Sequence, residues 1–302
     1  MKKLRFTLAI LAAGCLWGFM GLFTRKLYAF GFDAPGAVIV RCGVAALLFA
    51  ALLLLRDPKL FRVRLRDLWC FLGVGLCSLL FFTWCYFQCI SLTSLSMAAV
   101  LLYTAPSIVM VLSLFLFRER FTPLKLAALL LAFAGCCLVC GLGGEVNVPG
   151  VLFGLGAGLG YALYSVFARF ALLRGYDSRT INFYAMFIGT LGAVAIWGGG
   201  APLRLMFSSS ETLLWCLATG LFSCFLPYLL YTYGLSGTET GKAAVMASTE
   251  PVVATLVGAV LFHETLTAKS ALGVALVLAA IAALNLKPRR KREPEDPEQK
   301  SE

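Results

Sequence analysis

Residues Ala98–Glu119 read AAVLLYTAPSIVMVLSLFLFRE. The stretch holds more than eighteen nearly unbroken apolar residues, enough for a helix that crosses a bilayer. A proline, Pro106, sits in its middle, and a charged pair, Arg118-Glu119, closes it. The same design returns at Ala243–Glu264, AAVMASTEPVVATLVGAVLFHE, with Pro251 in place of Pro106 and Glu264 in place of Glu119. Each pair is 145 positions apart. Between Leu68–Thr122 and Leu213–Thr267 no gap is needed, and 17 of 55 positions are identical. They include Gly75/Gly220, Tyr86/Tyr231, Thr93/Thr238 and Thr104/Thr249. Apolar helices match one another by composition alone, but an ungapped register that includes Pro, Glu, Tyr and Thr is much harder to obtain that way. The chain is therefore read as two copies of one membrane unit.

Composition points the same way. Of 302 residues, 60% are hydrophobic and 14% charged, with a mean hydropathy of +0.88. A soluble domain needs far more polar surface. A net charge of +11 would suggest nucleic acid in a soluble protein. Here the positive-inside distribution of membrane proteins accounts for it, and no nucleic-acid partner is read. The eleven cysteines lie nearly all within apolar helices, as at Cys85/Cys89 and Cys136-Cys137, where they act as small hydrophobic filler. Cys137 and Cys140 form a CxxC in mid-helix with no second pair or histidine cluster, so neither a zinc site nor a disulfide framework is expected. The basic start, Met1–Arg5, leads into an apolar run to Phe23 without a cleavage signal, which reads as an uncleaved first span.

Ten spans are predicted, at about 6–23, 36–55, 68–90, 94–117, 124–142, 149–169, 180–198, 212–235, 241–262 and 267–286. Residues 1–146 form the first five-helix unit and 147–286 the second. Residues 287–302, KPRRKREPEDPEQKSE, form a tail expected to be disordered. Alternate loops carry 21 of the 26 Lys and Arg, the other loops carry Arg25, Lys26, Arg204 and Lys269, and Arg41 lies inside a span. That bias predicts a multi-pass protein of the cell membrane with both termini in the cytoplasm. Five spans per unit is an odd number, so two copies in one chain must be inverted relative to each other. The loop RERFTPLK and its repeat HETLTAKS then face opposite sides, and the second has lost most of its positive charge. In the first span Ala13, Gly14, Phe23 and Arg25 recur at Ala157, Gly158, Phe167 and Arg169, with Trp17 matched by Tyr161. The expected fold is an all-α membrane protein of ten transmembrane helices in two inverted five-helix repeats. With kinked or discontinuous helices, that is the architecture of secondary transporters.

Trp17-Gly18 in the first span, Arg41 early in the second and the twice-repeated Ala98-Ala99, Pro106, Glu119 and Ala243-Ala244, Pro251, Glu264 carry a resemblance. On these residues the chain resembles the EamA-like family of the drug/metabolite transporter superfamily, over essentially its whole length to about Asn285. The resemblance implies two inverted repeats around a central cavity lined mainly by spans 1, 3, 4, 6, 8 and 9. It also implies movement of small metabolites such as amino acids, often outward. The family's usual Glu-Arg end of the fourth span is His-Glu-Thr in the second copy here. A gate role for that charge pair therefore does not carry over to the second half.

Pro106 and Pro251 lack an N–H and leave the carbonyls of Leu102 and Ala247 without their helical donor. The kink either lines the substrate cavity with polar backbone or is purely structural. Glu250 is the acid deep in a span, about 13 Å in at 1.5 Å per residue. Its repeat partner is Ala105, so the fold itself does not require the charge. A carboxylate at that depth costs several kcal/mol unless hydrated, paired or protonated. It is a candidate for binding a substrate ammonium or for proton coupling, set against a structural carboxylate tied to backbone or to Arg41. Arg41 lies roughly 8 Å below the outer edge and reads as structural charge, snorkelling or capping carbonyls. Glu119 and Glu264, at helix ends, read as loop anchors. The substrate-lining candidates are Trp17, Trp84, Gln88, Tyr103, Tyr161, Tyr164, Asn182, Tyr184, Tyr228 and Tyr231. Trp84 with Gln88, and Tyr228 with Tyr231, each share a helix face; packing or interfacial anchoring is the competing role. Gly14/Gly18, Gly154/Gly158 and Gly156/Gly160 have small-xxx-small spacing, which suits close packing within the monomer or a homodimer.

The leading function is a secondary transporter, an exporter of a small metabolite such as an amino acid or amine, working by alternating access. Its partners are the small-molecule substrate and the lipid bilayer, and no cofactor or metal is implied. A membrane-embedded enzyme is the rival class. It would need paired acids, an activated nucleophile or a metal cluster, and the chain has one histidine, His263, and no HExxH. Without a GxxxxGK[ST] loop, ATP-driven transport by this chain alone is not expected. A passive channel is the third class, disfavoured by the inverted repeat.

Overall fold

The computed structural model describes residues 2–141, 147–263 and 265–285. Glu264 and the tail 287–302 lie outside the described residues. Ten helices among those described are long and apolar enough to cross a membrane: Leu4–Ala29, Ala34–Arg56, Leu65–Leu92, Met97–Phe117, Pro123–Cys140, Val148–Leu173, Ser178–Trp197, Ser210–Ser236, Thr240–Leu261 and Ala268–Asn285. They match the predicted spans to within a few residues, with two differences. The sixth runs on to Leu173. The first continues past Phe23 to Ala29 after a bend between Gly18 and Met20. The polar residues at its end stay helical because they find partners. Arg25 lies over the Phe262 ring at 4.0 Å, Lys26 over Trp215 at 5.3 Å, and Thr24 donates to the Met20 carbonyl at 2.9 Å.

The repeat written in the sequence is also written in the backbone. The fourth span is two helices, Leu95–Leu102 and Ala105–Phe117, and the ninth is Thr240–Ala247 and Thr249–Leu261. At each break a threonine hydroxyl bonds back to the preceding turn, one residue before the carbonyl that the proline frees. Thr104 donates to Leu101 at 2.6 Å, and Thr249 donates to Met246 at 2.9 Å. Beyond each second segment one residue turns left-handed, Arg118 at φ 53° and His263 at φ 55°. These are the non-glycine residues with positive φ among those described, and they too are 145 apart. The third and eighth spans each widen into π-helical turns, at Gly73–Leu80 and Gly220–Phe225. Such turns shift which side chains face inward and recur at functional positions.

Close backbone approach at the breaks requires glycine. A Cβ on Gly14 would lie 3.2 Å from the Ala247 carbonyl oxygen and 3.1 Å from Cβ of Thr249. In the other repeat, a Cβ on Gly158 would lie 2.5 Å from Oγ1 of Thr104 and 3.0 Å from the Leu101 carbonyl oxygen. The first span therefore covers the break of the ninth, and the sixth covers the break of the fourth. These glycine faces are filled by the chain's own helices, as small-residue packing in a membrane allows.

The connections 2–3, 4–5, 6–7 and 8–9 gather at one end of the bundle, the basic end, and join the repeats there. Asp67 is held by Arg174 (Nε–Oδ1, 3.1 Å) and accepts from the Tyr176 hydroxyl at 2.8 Å. Thr180 donates to the Leu60 carbonyl at 2.8 Å. The carboxylate of Glu119, at the end of the fourth span, accepts from the backbone N–H of Thr240 at 2.6 Å and of Gly241 at 3.1 Å. It thus caps the ninth span, where an anion also complements the helix dipole. Lys125 pairs with Glu239 at 2.6 Å beside it. Glu119 is therefore a helix anchor across the repeat boundary; the matching position of Glu264 lies outside the described residues.

Two stability measurements in detergent check this packing. Gly18→Val would place a Cβ 2.9 Å from the Glu250 carbonyl oxygen, and overpacking of this kind costs about 1–3 kcal/mol. Its thermal midpoint should fall, whereas Gly21→Ala, with nothing within 4 Å, should leave the midpoint unchanged. Glu119→Ala removes both cap bonds and should cost about 0.5–2 kcal/mol. An unchanged midpoint would mean that the repeats are not held together there.

Candidate functional site

A narrow cavity lies where the two repeats meet. Its walls include Trp17 from the first span, Phe82 from the third, Tyr161 and Ser165 from the sixth, and Tyr228 and Tyr231 from the eighth. The rings interlock: Trp17 meets Tyr228 edge-on at 5.2 Å and Tyr231 at 5.5 Å, and Phe82 meets Tyr161 at 5.7 Å. The cavity volume is only about 10 Å³, room for about one water molecule. Towards the basic end it is shut by two bonds between the sixth and eighth spans. Ser165 and Tyr231 share a hydrogen bond of 2.7 Å, and Arg169 donates to the Leu235 carbonyl at 2.9 Å.

Glu250 borders this region at the break of the ninth span. It occupies the first turn of Thr249–Leu261, where the helix N-terminus favours an anion. Tyr161, on the cavity wall, stands within electrostatic reach of its carboxyl group. The other titratable groups within electrostatic reach come from four spans: Arg41 from the second, Tyr86 from the third, Tyr103 from the fourth, and Cys136 and Cys140 from the fifth. Glu250 is partly rather than fully buried, as are Tyr86, Tyr103 and Tyr161 around it. Pro106 and Pro251 are buried at the two breaks. The geometry thus gathers one carboxylate and a set of phenol and indole rings at mid-membrane depth. That arrangement can hold an organic ammonium or exchange a proton.

Tyr164 also lines the cavity, while the remaining candidates occupy other places. Tyr164 and Asn182 serve each other: the Tyr164 hydroxyl donates to Oδ1 of Asn182 and shares a 2.8 Å bond with Thr232. Nδ2 of Asn182 donates to the Tyr228 carbonyl at 3.1 Å. This network, which includes the cavity-lining Tyr164, ties spans six, seven and eight together. Tyr184 lies at the basic end, donating to the Phe61 carbonyl at 2.8 Å. Trp84 and Gln88 do share a face, but 100° per residue puts it on the far side of the third span from Phe82 and Tyr86. Trp84 is 41% exposed and packs on Phe153. Ser78, Phe82, Tyr86 and Ser165 belong to the site and were not among the sequence candidates. Two of them carried a signal: Tyr86 is the repeat partner of Tyr231, and Ser78 is the repeat partner of Ser223.

Comparison with known proteins agrees with the fold and its duplication. The EamA-like transporter family matches the chain twice, at residues 5–141 and 148–286. An uncharacterized transporter of Archaeoglobus fulgidus is 34% identical over 196 residues, covering 65% of this chain and 69% of its own. A second from the same organism is 29% identical, covering 88% and 93%. The uncharacterized transporter YvbV of Bacillus subtilis is 24% identical over 95% of this chain and 93% of its own. A solved crystal structure superposes with a TM-score of 0.77 at 20% identity, covering 93% of this chain and 97% of the other, which bears on the fold alone. With its two matched repeats, ten spans and paired helix breaks, the chain belongs to the EamA-like transporter family.

Proposed function

We propose that this transporter moves a small amino-acid-like or amine metabolite out of the cell by alternating access around the aromatic cavity. The observation that carries the reading is Glu250, an acid at a mid-span helix break with the cavity-lining Tyr161 nearby. The outward direction is taken from the family resemblance. The positive-inside rule places the basic end, and with it both termini, in the cytoplasm. On that orientation Glu119, Lys125, Ser165 and Arg169 close the route to the cytoplasm, so transport must break and remake these bonds. Competition between a proton and a substrate ammonium for one carboxylate would couple their movements without a second ion site.

Proteoliposomes loaded with a mixture of radiolabelled L-amino acids and amines test this. Glu250→Gln keeps the shape but cannot ionise. It should abolish accumulation driven by a pH gradient while sparing solute exchange. Loss of both activities would make Glu250 a substrate ligand instead. Full gradient-driven accumulation by the variant would leave it a structural carboxylate.

A further inference from the structure

The basic end carries a second cavity, apart from the aromatic one. It lies between the connection of spans two and three and that of spans six and seven, with a volume of about 330 Å³. Four cations line it: Lys59, Arg62 and Arg64 from the first repeat and Arg174 from the second. Arg174 is engaged by Asp67 at 3.1 Å. The acid on the wall, Asp177, is engaged as well, since Arg179 donates to its two carboxylate oxygens at 2.7 and 2.8 Å. No ion pair among the described residues involves Lys59, Arg62 or Arg64. Their charges therefore face one hollow unneutralised, and an anion entering it relieves their repulsion.

The walls are set before any ligand arrives. The Leu60 and Phe61 carbonyls accept from the Thr180 and Tyr184 hydroxyls at 2.8 Å each, and the Arg64 N–H donates to the Tyr176 hydroxyl at 3.1 Å. Each of these bonds crosses from one repeat to the other. The positive-inside rule accounts for the sign of the loop but not for the gathering of its charges around a cavity. Nor does the duplicated frame require them: 145 positions on from Arg62 and Arg64 stand Phe207 and Ser209.

Position identifies the anion. The cavity lies where spans end, at Arg56, Leu65, Leu173 and Ser178, which is the level of the lipid headgroups. Beside it Leu65 and Leu173 stay 89% and 61% exposed, and Trp69 stands 41% exposed where an interfacial anchor belongs. A phosphate diester that carries acyl chains satisfies both the cations and this apolar rim. A soluble phosphate satisfies the cations alone.

We propose that this cavity binds the phosphate of an anionic phospholipid, and that the bound headgroup bridges the two repeats at the basic end. Basic hollows at the ends of membrane spans recognise such headgroups through charge-assisted contacts. The proposal is independent of what the aromatic cavity carries.

Native mass spectrometry of the purified chain tests it, with titrations of dioleoylphosphatidylglycerol, dioleoylphosphatidylcholine and glycerol 3-phosphate. The glycerol lipid should bind about tenfold more tightly than the choline lipid, or better, as charge-assisted contacts imply. The triple variant Lys59→Gln, Arg62→Gln, Arg64→Gln should lose that preference. A control triple, Arg56→Gln, Arg66→Gln, Arg120→Gln, removes the same charge from exposed positions outside the cavity and should keep it. Arg62→Gln against Arg66→Gln gives the same comparison should a triple variant fail to stay monodisperse. Equal loss in the cavity variant and the control reduces the effect to general surface charge and overturns the proposal, as does the absence of any preference in the wild type. Glycerol 3-phosphate binding as tightly as the lipid overturns it too, and gives the cavity to a soluble phosphate.

Discussion

A proline in mid-membrane leaves a carbonyl without a donor where no bulk water can replace it, and such a group costs several kcal/mol if nothing satisfies it. The chain accepts this twice, at Pro106 and Pro251, and much of the architecture answers to it. Each break is held by a threonine hydroxyl and covered by a glycine face from another span. The first span must lie on the ninth and the sixth on the fourth, because only Gly14 and Gly18, or Gly158, let a helix come that close. The position of the cavity follows, since Trp17 and Tyr161 sit on those same covering helices.

The two repeats share this scaffold and differ in charge. Ala105 stands where the second repeat has Glu250, so the carboxylate is an addition to one copy of a symmetric frame. Its location at the first turn of a half-helix lowers the cost of holding it in the bundle. At the basic end the asymmetry is mechanical. Glu119 of the first repeat caps the ninth span of the second, so the break that carries Glu250 and the closure of that end belong to one span. A displacement of the short segment Thr240–Ala247 would therefore reach both.

The spans and their duplication were legible because hydropathy and repeat register are properties of residue order alone. The breaks were legible because a missing N–H is visible in the residue type. The end of the first span was not, since Arg25 and Lys26 read as loop residues until Phe262 and Trp215 are brought beside them in space. Nor was the left-handed turn at Arg118 and His263, which neither residue type announces. Spacing correctly grouped Trp84 with Gln88, but spacing gives a face and not its direction. Packing supplies the direction: Phe82 meets Tyr161 at the cavity wall, whereas Trp84 packs on Phe153 of the same sixth span and stays 41% exposed. Repeat register was the stronger guide, and it pointed to Tyr86 through Tyr231.

The central claim is that the basic end opens and closes as one repeat moves against the other. The most direct measurement is the distance distribution, by electron–electron double resonance, between spin labels carried on unnatural amino acids at Arg120 and Ser236, both exposed at that end. The account predicts a short distance for the closed arrangement and a second, longer population whose share changes with pH and with added amino acids. A single distance that responds to neither would contradict it.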